Sequence, residues 1–246
     1  MSAKILVILA ALLALTSCQV IPTAPPIPTP VVWQVAVSPS LGFLNPAINE
    51  CSQGLPGVAI EFNQLPAQLI LTQPQDINLL WGSPIDLKQA AYELGLDRLV
   101  FVVNPENPIQ ETNLATIQKI FSGEVFSWAE VCPQCSDLPP DEIELWTFSI
   151  EEDIQTVFSQ VILTDSLISP SAYLAASPSD VLAAVAASPS AIGYVPSTWL
   201  TDQSVRNLKL KDLPATQITF PYLAILSAPP SDQTQRWLTC LSKEIP

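Results

Sequence analysis

The chain has 246 residues, 48% of them hydrophobic, and sets 9 Lys and Arg against 23 Asp and Glu for a net charge of −14. That balance argues against binding nucleic acid or docking electrostatically on an anionic membrane, and it disfavours long-range steering of an anion, although a local site can override the global field. It contains no histidine, so neither a Ser-His nor a Cys-His catalytic pair can be assembled.

Residues 1–17 are a leader: a basic start to Lys4, an apolar run from Ile5 to Leu15, then small residues. The run is too short to span a bilayer and has the layout of a secretory signal. Leu15-Thr16-Ser17-Cys18 resembles a bacterial lipobox, which implies acylation of Cys18 and an extracytoplasmic location, lipid-anchored at the cell envelope. The rival reading is a plain signal peptide with an incidental cysteine. Residues 18–30 follow as a tether with prolines at 22, 25, 26, 28 and 30, an extended polyproline-like segment that would hold a domain off the membrane. The rest, from Val31, suffices for one large domain or two small lobes.

Along that part, WQVAVSPS (33–40) reads as a strand ending in a Ser/Pro turn, and Phe43 to Cys51 has helical spacing. Gly57–Phe62 is a strand, Pro66–Thr72 a short helix and Asp76–Trp81 a third strand. A helix is predicted from Asp86 to Leu96, with Gly95 near its end. The nearly all-apolar Arg98–Asn104 reads as a strand buried on both faces. Asn113 caps a helix that ends at Gly123. Ile143–Phe148 is a strand, Glu151–Ile162 a helix, Ser179–Ala187 a helix and Ala191–Val195 a strand. Strands near Val205–Leu210 and Thr219–Leu226 and a helix over Asp232–Leu241 complete the chain. The alternation is that of an open α/β sheet with helices on its faces.

Besides Cys18 there are four cysteines, which allow three pairings. Cys132 and Cys135 can close a small loop, leaving Cys51 to meet Cys240. A zinc site is the rival, weakened by a lone CxxC without histidine, and the prolines around it speak against a redox motif. Neither a metal nor a cofactor is expected.

The stretch WTFSIEEDIQTVF (146–158) passes from strand to helix, and Ser149 with Glu152 has the spacing of a capping box. A helix start favours anions, yet here the first turn holds Glu151, Glu152 and Asp153. Either this is an ordinary solvated cap or the protein's own acids fill a binding site.

LVFVVNPENPIQETNLATIQKIFSGEVFSWAEV (99–131) and SPSAIGYVPSTWL (188–200) resemble landmarks of the phosphate-binding type of periplasmic solute-binding protein. The resemblance implies a two-lobed type 2 α/β fold with two crossover strands, near Leu99–Asn104 and Ala191–Val195. One lobe would comprise 31–98 plus 200–246 and the other 99–199, and Cys51 and Cys240 would share a lobe. Gly193, read from the residues alone, is a packing glycine sooner than a binding one.

The resemblance also implies three ligand-holding elements. Ser38, Ser40 and the Leu41 backbone fit the first. Trp81 and Ser83 fall in the second, where Gly82 replaces an expected acid. In the third, Phe148 stands where an arginine belongs, and Glu152-Asp153-Ile154 replaces Ser-Gly-Thr, with Ser149 close by. Two carboxylates about 4 Å apart repel by roughly 1 to 4 kcal/mol, depending on the local dielectric, so phosphate held in the family's usual way is not expected. Three functions follow: a solute-binding lipoprotein for another small solute, serving an ABC permease; a module without a ligand, acting as envelope sensor or partner; and, last, an enzyme.

Overall fold

The apolar run VVWQVAV forms strand β1 (Val31–Val37), which pairs in parallel with β2 (Val58–Gln64) and β3 (Ile77–Trp81). A 3-10 turn over Pro39–Leu44 and helix α1 (Asn45–Ser52) join β1 to β2, and α2 (Ala67–Thr72) joins β2 to β3. All five residues of β3 are buried. This is a computed structural model that describes residues 29–84, 89–164, 166–201 and 203–245. The leader, Cys18 and most of the tether lie outside the described residues.

The helix expected over 86–96 is corrected by the structure. Residues 85–88 are not described, and the chain then runs as the long strand β4 (Ala90–Val103). Its first part, Ala90–Arg98, pairs antiparallel with β10 (Thr219–Leu226). The register shifts between Tyr222 and Leu223, leaving Leu94 as an extra, buried residue on β4. Such a bulge breaks the period-two alternation that marks a strand, and the ladder to β10 outweighs a weak local preference for helix.

The second part of β4, Leu99–Val103, pairs antiparallel with β8 (Ala191–Pro196), while Phe101–Val103 also meet β9 (Arg206–Leu210). Strand β6 (Glu144–Phe148) lies parallel to β8, and β7 (Tyr173–Ala175) parallel to β6. The short β5 (Glu111–Thr112) pairs with β9. The strand order β2-β1-β3-β10-β4-β8-β6-β7 is therefore one curled sheet whose halves share β4. This mixed α/β architecture has the two-lobed form expected.

Helix starts follow local chemistry. Asn113 accepts the Thr116 N–H at 2.8 Å ahead of α3 (Leu114–Ser122), and Gly123 ends that helix in the left-handed conformation, at φ 76°. After the short α4 (Trp128–Val131) come α5 (Asp153–Phe158), continued by a π turn over Ser159–Leu163, and α6 (Pro178–Ala187), capped by Ser177. Ser231 caps the last helix, α7 (Asp232–Leu241). The core of the second half is aromatic: Tyr194 stacks on Phe158 with centroids 3.9 Å apart, and Phe101 and Phe121 pack around the pair. Gly193 packs directly beneath Val181, which leaves no room for a side chain.

At the crossover, buried Asp97 accepts hydrogen bonds from the Tyr222 hydroxyl at 2.7 Å, the Thr198 N–H at 2.9 Å and the Ser197 hydroxyl. It pins the start of one crossing to the end of the other. Among the described residues no helix is long and apolar enough to cross a membrane.

Two disulfides are present among the described residues. Cys51–Cys240 ties α1 to α7 across a separation of 189 residues, and Cys132–Cys135 closes a loop of 3. A cross-link over so long a loop restricts the unfolded chain most. Replacing Cys51 and Cys240 by serine is expected to cost about 2–5 kcal/mol in urea unfolding, and the same change at Cys132 and Cys135 distinctly less.

Candidate functional site

Strand β1 ends at Val37, and the turn that follows aims two hydroxyls inward. The Ser38 N–H donates to the Leu79 carbonyl at 3.0 Å, and the Leu41 N–H donates back to the Ser38 carbonyl at 3.0 Å. That frame buries both Ser38 and Ser40 completely. Beside it β3 ends at Trp81. The next residue, Gly82, has φ 85°, and a Cβ there would come within 2.6 Å of Val157 on α5. Glycine thus serves twice, permitting the turn and allowing the end of β3 to lie against α5.

From the other half of the sheet, the segment after β6 presents three consecutive acids to this corner. The Glu151 carbonyl accepts the Gln68 N–H at 2.9 Å. Asp153 Oδ2 accepts the Trp81 N–H at 2.8 Å, the Ser38 hydroxyl at 2.6 Å and the Ser40 hydroxyl at 2.8 Å. Its Oδ1 takes the Ile154 N–H at 2.8 Å. One carboxyl group therefore collects donors from the ends of two parallel strands of the first half, β1 and β3.

The structure bears on both readings of this turn and corrects one expectation. Glu152 and Asp153 are only 8% and 6% exposed, while Glu151 faces solvent. The capping box of Ser149 with Glu152 does not form. The helix begins at Asp153 with Glu152 as its N-cap, and the Ser149 hydroxyl accepts only a long 3.4 Å contact from the Glu151 N–H. Asp153 is drawn inward because the opposite half supplies the donors that solvent would otherwise provide.

Burial pushes the Asp153 carboxyl above its usual range, against the pull of the serine hydroxyls and the Trp81 N–H. For Glu152, burial first, then the charges of Asp153 and Glu151, raise the carboxyl to about 7. Its Oε2 is buried with no hydrogen-bond partner among the described residues, which explains why the neutral form is favoured.

Of the residues singled out in the sequence, Ser38, Ser40 and Trp81 converge on one point, and that point is Asp153. The Leu41 N–H is used within the turn. Ser83 lines a neighbouring cavity, while Ser149 is half-buried and does not line it. Phe148, at the place of the implied arginine, is buried with its ring edge against Tyr194 at 5.6 Å. Asp153 is the residue that sequence reasoning did not single out. Its signal was present in the register that laid acids over Ser-Gly-Thr.

The cavity, of about 510 Å³, lies between Leu71, Leu80, Trp81 and Ser83 on one side and Ile150, Asp153 and Val157 on the other. No lysine or arginine among the described residues lines it. No group of three or more metal-ligating side chains occurs among the described residues.

A family model described as the PBP superfamily domain matches residues 86–233, more than half of the chain. No curated protein matches. Among solved structures, a candidate phosphate ABC transporter substrate-binding protein with bound phosphate from Clostridium perfringens is similar at 15% identity and TM-score 0.71, covering 85% of this chain and 92% of that one. An ABC-type phosphate transport receptor from Vibrio cholerae is 18% identical with TM-score 0.64, covering 85% and 93%. A regulatory domain of OxyR2 from Vibrio vulnificus is 13% identical with TM-score 0.58, covering 88% and 99%. At such identities the likeness is one of fold.

The raised carboxyl of Glu152 sets a pH dependence. The folded state holds the proton more tightly than the unfolded chain, so its contribution to stability is full below about 4.5 and is lost as pH rises through about 7. Urea unfolding from pH 4 upward should show this decline in the wild type, and subtracting the profile of Glu152→Gln should isolate it.

Proposed function

We propose that this chain, which belongs to the PBP superfamily, is an extracytoplasmic module, anchored through a lipid on Cys18, whose interlobe anion site is filled by its own Asp153. It has the fold of phosphate-binding proteins but not their cargo, and it acts as a sensor or assembly partner at the cell envelope. The observation that carries the reading is the Asp153 carboxyl, met by Ser38, Ser40 and the Trp81 N–H. These are the donors that the family resemblance assigns to an anion, and they are already engaged. A free phosphate would have to displace a buried carboxyl group and leave it without donors in an apolar corner. Phe148 stands in place of the cation that would compensate, and Glu152 adds a further acid.

The lobes of this reading are 31–98 with 200–246, and 99–199. Strand β9 departs from that division, since it pairs with Phe101–Val103. The second reading, a carrier of another small solute for an ABC permease, is favoured by the cavity of about 510 Å³ beside Asp153. Its apolar walls and acidic rim suit a neutral or cationic solute.

Thermal unfolding with added phosphate tests the proposal. A ligand that binds only the folded protein raises Tm by mass action. The expected result is an unchanged Tm in millimolar phosphate. A clear rise at micromolar phosphate would contradict the reading.

A further inference from the structure

We propose that Ser38, Ser40 and Asp153 form a proton-binding site, in which joining the two lobes takes up one proton from solvent and holds it on the Asp153 carboxyl. The inference rests on the reading that Asp153 fills the anion site, and adds how that site is regulated. Three oxygens form a closed triangle: Ser38 Oγ to Ser40 Oγ at 2.5 Å, Ser38 Oγ to Asp153 Oδ2 at 2.6 Å, and Ser40 Oγ to Asp153 Oδ2 at 2.8 Å. Every edge is a hydrogen-bond distance, but each hydroxyl brings one proton, so two serines supply two protons for three edges.

With Asp153 ionised, both hydroxyls turn to the carboxylate, and the serine oxygens face each other at 2.5 Å through lone pairs alone. A proton on Oδ2 completes the ring: Asp153 donates to one serine, that serine to the other, and the second back to the carboxyl. A similar triangle joins Thr147, Tyr194 and Gln155. There an amide can supply the missing donor by turning its NH₂ group toward the hydroxyls. A carboxyl group has only protonation.

The groups facing Asp153 pull both ways. Glu151 and Glu152 belong to its own turn, and from β10 Tyr222 faces it with a phenol that burial and the neighbouring Asp97 of β4 keep neutral. The N–H groups of Trp81, on Oδ2, and of Ile154, on Oδ1, pull toward the anion, but neither supplies a proton to the Ser38–Ser40 edge. The balanced step is one solvent proton joining one carboxylate as the lobes close, and leaving as they open. Rising pH then acts as the opening signal, in a place where the resemblance implies an anion.

Infrared spectroscopy at neutral pH reads the proton directly. The background is Glu152→Gln, which removes the other raised carboxyl. A deuterium-sensitive C=O stretch of a carboxylic acid is expected in Glu152→Gln and should vanish in the double variant with Asp153→Asn. Carbon-13 aspartate labelling of the Glu152→Gln chain identifies the band even if the double variant does not fold. As pH is raised, the loss of that band should be matched by a fall in Tm, and Asp153→Asn, whose amide can donate to the ring, should not show this fall. A spectrum with only carboxylate bands at neutral pH would overturn the proposal, as would a band that titrates with no change in Tm. Either result with Tm still indifferent to phosphate leaves the filled-site reading standing, whereas phosphate binding sinks that reading itself.

Discussion

A carboxyl group taken out of water must be met by donors, or the structure that buries it does not persist. Asp153 meets that demand with groups 115 and 72 residues away in the chain, the Ser38 hydroxyl and the Trp81 N–H. Its hydrogen bonds therefore dictate where the turn after β1, the end of β3 and the start of α5 lie with respect to one another. Gly82 is the steric counterpart, since any side chain there would strike Val157 and hold the two halves apart.

The constraint acts on a frame that could move. Strand β4 belongs to both halves, pairing first with β10 and then with β8 and β9. Continuous backbone of this kind lets two halves swing through small changes in dihedral angle while each keeps its own hydrogen bonds. Asp97 binds the two crossings at their root, through Tyr222, Thr198 and Ser197, and the Trp199 indole N–H adds a bond to the Ser40 carbonyl at 2.8 Å. Those contacts join the two crossings to β10 and to the turn after β1. Residues 151–153 and their partners in the first half form a second set of contacts between the halves.

Much of the fold was legible because its signals are local. Asn113 and Gly123 bracket α3, Ser231 opens α7, and the unbroken apolar runs of β3 and β8 mark buried strands. The first part of β4 was not legible. Its helical appearance comes from a bulge at Leu94, and a bulge is defined by the partner strand, which lies more than a hundred residues further on. The site was half legible for the same reason. Ser38, Ser40 and Trp81 could be found by resemblance, but a run of acids at a helix start looks identical whether it faces solvent or a distant set of donors. Only the approach of the other half tells Asp153 from a surface carboxylate.

If Asp153 fills the site, the protein closes on itself without a ligand. Small-angle X-ray scattering of the ligand-free protein reads this. The expected result is a compact radius of gyration that phosphate leaves unchanged, and an expanded one for Asp153→Ala, in which the donors lose their acceptor. An expanded wild type that contracts when phosphate is added would contradict it.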